Sequence, residues 1–170
     1  FDDPHIDFSP SSRNYDGEGI PTKKNVLIEE GKFINGIYDL KTASESSKDS
    51  TGSAGRSLHS NPSPSTSNIV MKNGENDFQK IIKNIDEGIL VDNLLGAGQG
   101  NELSGDFSAN ISLGYKIEKG KIVGRVKNTM ISGNAFKALK EIEEISSNTE
   151  CVYGSLFLPF LQTNNIEISS

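Results

Sequence analysis

The amino-acid sequence predicts an α+β domain that is rich in β-strands, with antiparallel hairpins and about two helices. Hydrophobic residues make up only 34% of the 170 residues, and 17 residues are glycine. This balance favours strands and long loops over a helical bundle. Glu-Gly and Lys-Gly pairs lie between short β-prone runs, which is a pattern of tight hairpins. Two further segments have the apolar spacing of an amphipathic helix.

The first predicted hairpin follows an extended stretch at residues 1–24 that is rich in Asp, Pro, Gly and Ser. The segment "NVLIEEGKFINGIYD" (25–39) has two β-prone runs around Glu30 and Gly31. Gly31 can take the positive φ that a tight turn requires. We therefore expect an antiparallel hairpin in this segment.

A serine-rich segment follows at about 42–67, with ten serines in 26 residues and almost no apolar side chains. Such a composition buries too little apolar surface to offset the entropy lost on ordering. We expect either a mobile loop or a segment that is ordered by another part of a larger protein. The next residues, "NIVMK" (68–72), predict a short strand.

The clearest predicted helix is "ENDFQKIIKNIDEG" (75–88), because its apolar residues recur at helical spacing. Asn76 or Asp77 is expected to cap its first turn, and Gly88 is expected to mark its end. The run "ILVDNLL" (89–95) then predicts a buried strand. The apolar residues of the helix are Phe78, Ile81, Ile82 and Ile85.

A glycine-rich loop at 96–105 raises the question of nucleotide binding. The dinucleotide fingerprint needs a third glycine and a helix after the loop. Here the third glycine of the pattern is missing, and residues 107–117 alternate as in a strand. The loop also has no lysine at the spacing that a P-loop requires. We therefore predict a loop from strand to strand, in which the glycines serve backbone shape or close approach of another segment.

A second helix is predicted at 134–146, with Lys137–Glu141 and Lys140–Glu144 as i,i+4 pairs on its outer face. Its inward residues are expected to be Ala135, Ala138, Leu139, Ile142 and Ile145. The segments "IEEGKFI" (28–34) and "IEKGKIV" (117–123) also share one pattern. Either two independent hairpins use the same turn chemistry, or the similarity reflects an old duplication.

Bulk properties exclude several classes of protein. The length suits one domain with a core and barely suffices for two. A formal charge of −6 argues against nucleic-acid binding. No apolar run approaches the roughly 18 residues of a membrane helix, so we expect no membrane association. A single cysteine cannot form an internal disulfide and favours the cytoplasm. Because the first residue is Phe rather than Met, we expect a piece of a longer protein.

Few side chains are candidates for chemistry. A zinc site needs three or four ligands, whereas His5, His59 and Cys151 are isolated in sequence. The two histidines are expected to be solvated loop residues, and Cys151 a buried structural thiol. Asp106 is a lone acid, for which a turn or strand-start role is expected. No G-x-S-x-G motif occurs, so the residues alone predict a non-catalytic chain with no cofactor of its own.

Five collinear segments resemble the C-terminal domain of the TldD/PmbA family, which is related to metalloproteases and was described as modulators of DNA gyrase. They cover essentially all of residues 1–170 in the family's order, and we take the whole range as one such domain. The segments are "FDDPH", "YDGEGIPTKKNVLIEEGKFINGIYD", "DSTGSAGR", "GILVDNLLGAGQGNELSGDFS" and "YKIEKGKIVGRVKNTMISGN".

The resemblance implies a division of roles between two subunits. In the TldD branch, an upstream H-E-x-x-x-H helix and a cysteine in a Cys-Gly-Lys context hold zinc. The ending "GSLFLPFLQTNNIEIS" (154–169) instead resembles the PmbA (TldE) branch, which is regarded as lacking the metal. Cys151 lacks the Cys-Gly-Lys context, so the family's zinc role cannot be transferred to it.

The resemblance then predicts a cytoplasmic PmbA/TldE-like subunit that forms a dimer, either with a TldD-like subunit or with itself. Zinc on a TldD-like partner would serve proteolysis of unfolded or flexible peptides, as in peptide maturation. Two alternatives stay open. The chain is a standalone β-rich binding or structural module, or it is a zinc peptidase that uses Cys151 with ligands from an upstream region.

Overall fold

The structure, a computed structural model, describes residues 1–100 and 103–169. Two compact units make up the chain: residues 1–72 with 149–159, and residues 73–148 with the chain from 160 onward. The described residues form three short helices: α1 (Leu40–Glu45), α2 (Phe78–Asn84) and α3 (Ala135–Lys140). Strands dominate both units, so the predicted β-rich α+β class is confirmed, with one helix more than expected.

The strands, in chain order, are β1 (Ile28–Glu29), β2 (Lys32–Phe33), β3 (Ala54–Gly55), β4 (Ser63–Pro64), β5 (Ile69–Val70), β6 (Glu87–Leu95), β7 (Asp106–Glu118), β8 (Lys121–Arg125), β9 (Met130–Asn134), β10 (Ile142–Val152), β11 (Leu156–Thr163) and β12 (Glu167–Ser169). β1 pairs with β2, and β3 pairs with β4. β10, β11 and β5 form a three-stranded sheet in that order.

The first unit contains the predicted hairpin of β1 and β2, which is confirmed. Glu30 and Gly31 have φ values of 49° and 74°, and two positive values in a two-residue loop are typical of a type I′ turn. The strand predicted at 68–72 is also confirmed as β5, which pairs in parallel with the first residues of β11.

Part of the serine-rich segment lies against its own unit. Thr51, Ser53 and Ala54 are buried, and the backbone amide of Tyr38 donates to Thr51 Oγ1 at 2.7 Å. Our expectation of a mobile or externally ordered segment was based on its lack of apolar side chains. In this part of the segment, hydrogen bonds to hydroxyl groups provide the contacts instead. Helix α1 was not predicted, because its residues are mostly polar. Asp39 caps this helix by accepting from Thr42 N at 2.7 Å.

The second unit is built around the long strand β7. β7 pairs along one edge with β6, and along the other with β9 near its start and β8 near its end. β12 extends the sheet beyond β9. The strand predicted over 107–117 is therefore confirmed. The core of this sheet consists of Ala109, Ile111 and Ile131, packed against Ile89, Val91, Leu94, Phe107, Val126 and Ile166.

Helix α2 confirms the predicted helix but not its end. Asp77 caps α2 by accepting from Gln79 N at 2.8 Å, and Ile81 and Ile82 are buried. The helix ends at Asn84, because Ile85 already has an extended backbone. Gly88, which we expected to terminate the helix, lies inside β6 opposite Ile117. The strand predicted at 89–95 exists but is only half-buried, contrary to expectation.

The second predicted helix is wrong after residue 140. α3 ends at Lys140 and buries none of its residues, while Ile142 and Ile145 lie in β10. Glu144 accepts from Asn76 Nδ2 at 2.9 Å, and Glu141 accepts from Asn165 Nδ2 at 2.8 Å. Ile142 and Ile145 are three residues apart, a spacing that favours a helix, but contacts distant in sequence select the strand.

Candidate functional site

The candidate zinc ligands lie on the surface of the first unit. His5 is exposed, with Nε2 at 3.0 Å from Thr22 Oγ1, and His59 is exposed in the serine-rich segment. Cys151 is an exposed free cysteine, so the expectation of a buried thiol was wrong. Residues 147–151 of β10 are exposed on both faces of the strand, which leaves Cys151 no apolar layer to enter.

A metal site needs several ligands converging on one point. Within residues 1–100 and 103–169, no group of three or more His, Cys, Asp or Glu side chains is placed to hold a metal ion. The described side chains therefore do not form a zinc site by themselves, and a site of the kind that the family resemblance implies would take Cys151 from them and its other ligands from elsewhere.

Asp106 lies at the start of β7, as predicted for a strand-start residue. Its two carboxylate oxygens accept from Asn134 Nδ2 and Ser104 Oγ, both at 2.8 Å. These hydrogen bonds, with a smaller contribution from Lys137, lower the pKa of Asp106 below its ordinary value. A carboxylate that stays ionised is a poor proton donor at neutral pH. The cluster fastens β7 to the entry of α3, since Asn134 Oδ1 also accepts from Lys137 N at 3.1 Å.

The lowered pKa of Asp106 predicts a pH-dependent effect of Asp106→Asn. Stability from a carboxylate with a depressed folded pKa is present above the unfolded value of about 4 and is lost as pH falls through the folded value. The wild-type chain should therefore exceed Asp106→Asn in thermal midpoint at pH 7, and the difference should shrink in acid. Thermal unfolding followed by circular dichroism checks this, and a constant difference from pH 7 to pH 3 would contradict it.

The glycine loop joins β6 to β7, so the predicted strand-to-strand connection is confirmed. A short 3₁₀ turn at Ala97–Gln99 lies between the strands. A Cβ at Gly100 would overlap the carbonyl oxygen of Asp106, although the backbone of Gly100 is extended. Close approach of the chain to itself therefore accounts for this glycine. Asn101 and Glu102 of the loop lie outside the described residues.

Sequence reasoning missed a network of buried polar side chains in the first unit. Asp2 is 2% exposed, and its Oδ1 accepts from Ser67 N at 2.8 Å and Ser67 Oγ at 2.6 Å. Asn68 is fully buried; its Nδ2 donates to the Asp3 carbonyl at 2.7 Å, and its Oδ1 accepts from Ser9 Oγ at 2.6 Å. These bonds hold the start of the chain against residues 67 and 68, so "FDDPH" has a structural role here.

Asp16 belongs to the same kind of network. Oδ1 accepts from the backbone amides of Glu18 and Ile20, both at 2.9 Å, and Oδ2 accepts from Ala54 N at 3.0 Å. An aspartate that precedes two closely spaced glycines in a polar stretch is a typical turn signal. That signal was available in "YDGEG" and indicates structure rather than catalysis.

The β1–β2 hairpin and strand β8 of the β7–β8 hairpin expose apolar side chains. In the β1–β2 hairpin, Ile28 is 59% and Phe33 73% exposed. In β8 all five residues are exposed, including Ile122 and Val123. Exposed strands with apolar side chains are suited to contacts with another polypeptide, because a free edge offers backbone donors and acceptors in register. The arrangement favours a contact surface over a reaction centre.

Comparisons with known proteins identify the family of the chain. A family model described as the PmbA/TldA metallopeptidase C-terminal domain matches residues 1–170. A metalloprotease TldD homolog of Buchnera aphidicola (subsp. Acyrthosiphon pisum) is 34% identical, with 86% of this chain and 30% of that protein aligned. A PmbA homolog of the same organism is 30% identical over 96% of this chain and 35% of its own length.

A solved structure has the same fold. The crystal structure of TldE from Thermococcus kodakarensis superposes with a TM-score of 0.89 at 31% identity, covering 99% of this chain and 39% of that one. The chain thus spans about a third of the length of these relatives. No helix in the described ranges is both long and apolar enough to cross a membrane. The match over residues 1–170 and the relatives at 30% identity or more establish that the chain belongs to the TldD/PmbA family, with its C-terminal domain as the matching part.

Proposed function

We propose that residues 1–170 act as one domain of a PmbA/TldE-like subunit that has no catalytic residues in this part and works beside a TldD-like subunit in the cytoplasm. The observation that carries the proposal is the family match over residues 1–170, in a chain whose residues 154–169 resemble the PmbA branch and whose Cys151 lacks the Cys-Gly-Lys context of the TldD branch. The similarity to a protein named TldE supports the choice of branch.

In this proposal the TldD-like subunit holds zinc, which supplies an activated water for hydrolysis of peptide bonds in unfolded or flexible peptides. The residues of this chain supply the wall of the cleft and contacts between subunits. The ionised Asp106 and the buried Asp2 and Asp16 keep the loops in place through hydrogen bonds to hydroxyl, amide and backbone groups. The exposed strands offer edges at which an extended peptide binds.

Co-expression with a TldD-like subunit tests the proposal. The full-length protein and the TldD-like subunit are purified separately and together, and cleavage of an unstructured peptide is measured for each sample. We expect cleavage by the mixture and little by either subunit alone, because this chain completes the cleft but holds no metal. Equal cleavage with and without this subunit would contradict the proposal.

Zinc analysis of the full-length protein distinguishes the proposal from a peptidase that uses Cys151. Cys151 is exposed, so Cys151→Ala should leave folding intact and serves as a matched variant. We expect the full-length wild-type protein and Cys151→Ala to contain equally little zinc after purification. Stoichiometric zinc in the wild-type protein that is lost in Cys151→Ala would assign the metal to this chain instead.

A further inference from the structure

The loop at residues 4–14 curves around an open cavity of about 440 Å³ in the first unit. Sites for small ligands combine an apolar lining with a few polar groups, and this cavity has both. Its apolar side chains are Pro4, Ile6 and Phe8, and its polar ones include Asp7, Arg13 and Asn14. The lining is therefore that of a binding site for a small ligand or for the end of a chain.

Hydrogen bonds hold this loop in its shape. Arg13 N donates to the Pro4 carbonyl at 2.9 Å and closes the loop at its base. Ser12 Oγ donates to the Ile6 carbonyl at 2.7 Å across the loop. The buried Asn68 donates from Nδ2 to Ser12 Oγ at 3.1 Å. The cavity is thus formed before a ligand arrives, and binding does not have to order the loop.

The side chain of Arg13 lacks acceptors. Its Nη2 donates to the Ser65 carbonyl at 3.3 Å, whereas its Nε is buried without a hydrogen-bond partner. The ion pairs found within residues 1–100 and 103–169 do not include Arg13 either. A guanidinium has five N–H donors and keeps its charge, and buried polar groups are almost always paired. An anion is therefore the partner that Arg13 is missing.

The neighbours of Arg13 indicate which anion fits. Asn14 is exposed at the same cavity, and its side-chain amide offers two further donors. Asp7 is also exposed there, and its negative charge disfavours an anion of higher charge, such as phosphate. A carboxylate carries a single charge and matches the parallel N–H groups of an arginine. The polar side of the cavity thus favours one carboxylate.

Phe8 shows that the apolar side of the cavity is not part of a core. Its side chain is fully exposed, and its φ is 60°, a value that is unusual and strained for a bulky residue. A ring in this position does not stabilise the folded chain by burial, and glycine would avoid the strain. The ring is therefore placed to cover an apolar group of a ligand in the cavity.

We propose that this cavity binds the C-terminal end of a peptide. Arg13 and Asn14 donate to the terminal carboxylate, and Ile6 and Phe8 cover an apolar last side chain. Capture of a terminal carboxylate is a recurring mode of peptide recognition. The proposal goes beyond the function proposed above, and its test needs no TldD-like subunit, so either proposal can fail without the other.

Saturation-transfer NMR on the full-length protein tests the site, with the dipeptide N-acetyl-alanyl-phenylalanine as the probe. We expect a dissociation constant on the order of 1 mM or below. The same dipeptide with a C-terminal amide should bind at least about tenfold more weakly, because it has no charge to pair with Arg13. Inorganic phosphate should displace the probe only at much higher concentration. Equal binding of acid and amide, or equally effective displacement by phosphate, would overturn the proposal.

Variants at the cavity change its charge with little change in shape. Asn14→Asp adds a negative charge and should weaken binding of the acid several-fold, whereas Asp7→Asn removes one and should strengthen binding. Arg13→Gln should weaken binding at least about tenfold. Arg56→Gln should leave it unchanged, because Arg56 is an exposed arginine of the same unit outside the cavity.

The two exposed positions keep the test decisive if Arg13→Gln does not fold. Asn14→Asp and Asp7→Asn exchange amide and carboxylate on exposed side chains, so both variants should retain the wild-type thermal midpoint. If the two variants shifted the dissociation constant in the same direction, or left it unchanged, the carboxylate would not lie beside them and the proposal would be wrong.

Phe8→Gly separates binding from folding. Glycine accepts φ 60° without strain but adds freedom to the unfolded chain, so the thermal midpoint should change little. Binding of the phenylalanyl dipeptide should weaken several-fold, and binding of N-acetyl-alanyl-alanine should weaken much less, because less apolar surface depends on the ring. Equal weakening of both dipeptides would mean that the ring does not cover the last side chain, and would overturn the proposal.

Discussion

Replacing Asp16 with alanine should destabilise the chain by about 3 to 4 kcal/mol, because three backbone amides lose their acceptor in one step. The carboxylate accepts from Glu18 N, Ile20 N and Ala54 N at 2.9 to 3.0 Å. Ala54 is fully buried, so water cannot replace the lost acceptor at that amide without opening the unit. An unsatisfied buried amide costs about 1 to 3 kcal/mol.

Two variants isolate the cause of this effect. Asp16→Asn keeps an oxygen for Glu18 and Ile20 but loses the acceptor of Ala54, so it should lie between wild type and Asp16→Ala. Asp7→Ala removes the same charge from an exposed residue and should have almost no effect. Urea unfolding of all four proteins, with amide exchange at Ala54 in each, gives the comparison. If Asp7→Ala and Asp16→Ala were equally destabilised, net charge rather than the hydrogen bonds would be responsible.

Elements with local determinants were predictable from the sequence. The β1–β2 hairpin follows from Gly31, which accepts the positive φ of a tight turn at no steric cost, between two β-prone runs. Helix α2 follows from its apolar spacing and from Asp77 as a cap. In both cases the information lies within a few residues, so no distant contact was needed to select the structure.

Elements selected by distant contacts were not predictable. The spacing of Ile142 and Ile145 favours a helix. Strand β10 is selected by partners outside its own segment, such as Phe160, whose backbone amide donates to Ser146 Oγ of β10 at 2.9 Å. The serine-rich segment was misjudged because apolar content alone was counted, whereas Thr51 and Ser53 are buried through hydrogen bonds.

Some features of the candidate site were predictable from the sequence, and others were not. The failure of nucleotide-binding templates was visible in the residue order of the glycine loop, and the strand-start role of Asp106 was visible beside it. The surface exposure of Cys151 was not visible in the sequence, because the apolar residues that follow it suggested a buried strand. The structural roles of Asp2 and Asn68 were also hidden, since their partners Ser67 and Asp3 lie 65 residues away.

The second large effect is expected at Gly100, where alanine should destabilise the chain by about 2 to 3 kcal/mol. A Cβ there would overlap the carbonyl oxygen of Asp106, and Asp106 is held by its bonds to Ser104 and Asn134. Backbone on both sides must therefore move, which separates the start of β7 from its hydrogen-bonding partners. Loss of amide protection in β7 and β9 should accompany the loss of free energy of unfolding.

Gly98→Ala is the matched control in the same loop. A Cβ at Gly98 meets no atom within 4 Å, and its backbone is not in the left-handed region. Alanine there restricts the unfolded chain and should be neutral or stabilising by up to about 1 kcal/mol. The contrast between the variants decides why glycine is needed at position 100. If the loop needed glycine for flexibility, both variants would be impaired alike; if close approach of Asp106 is the reason, Gly100→Ala alone is destabilised.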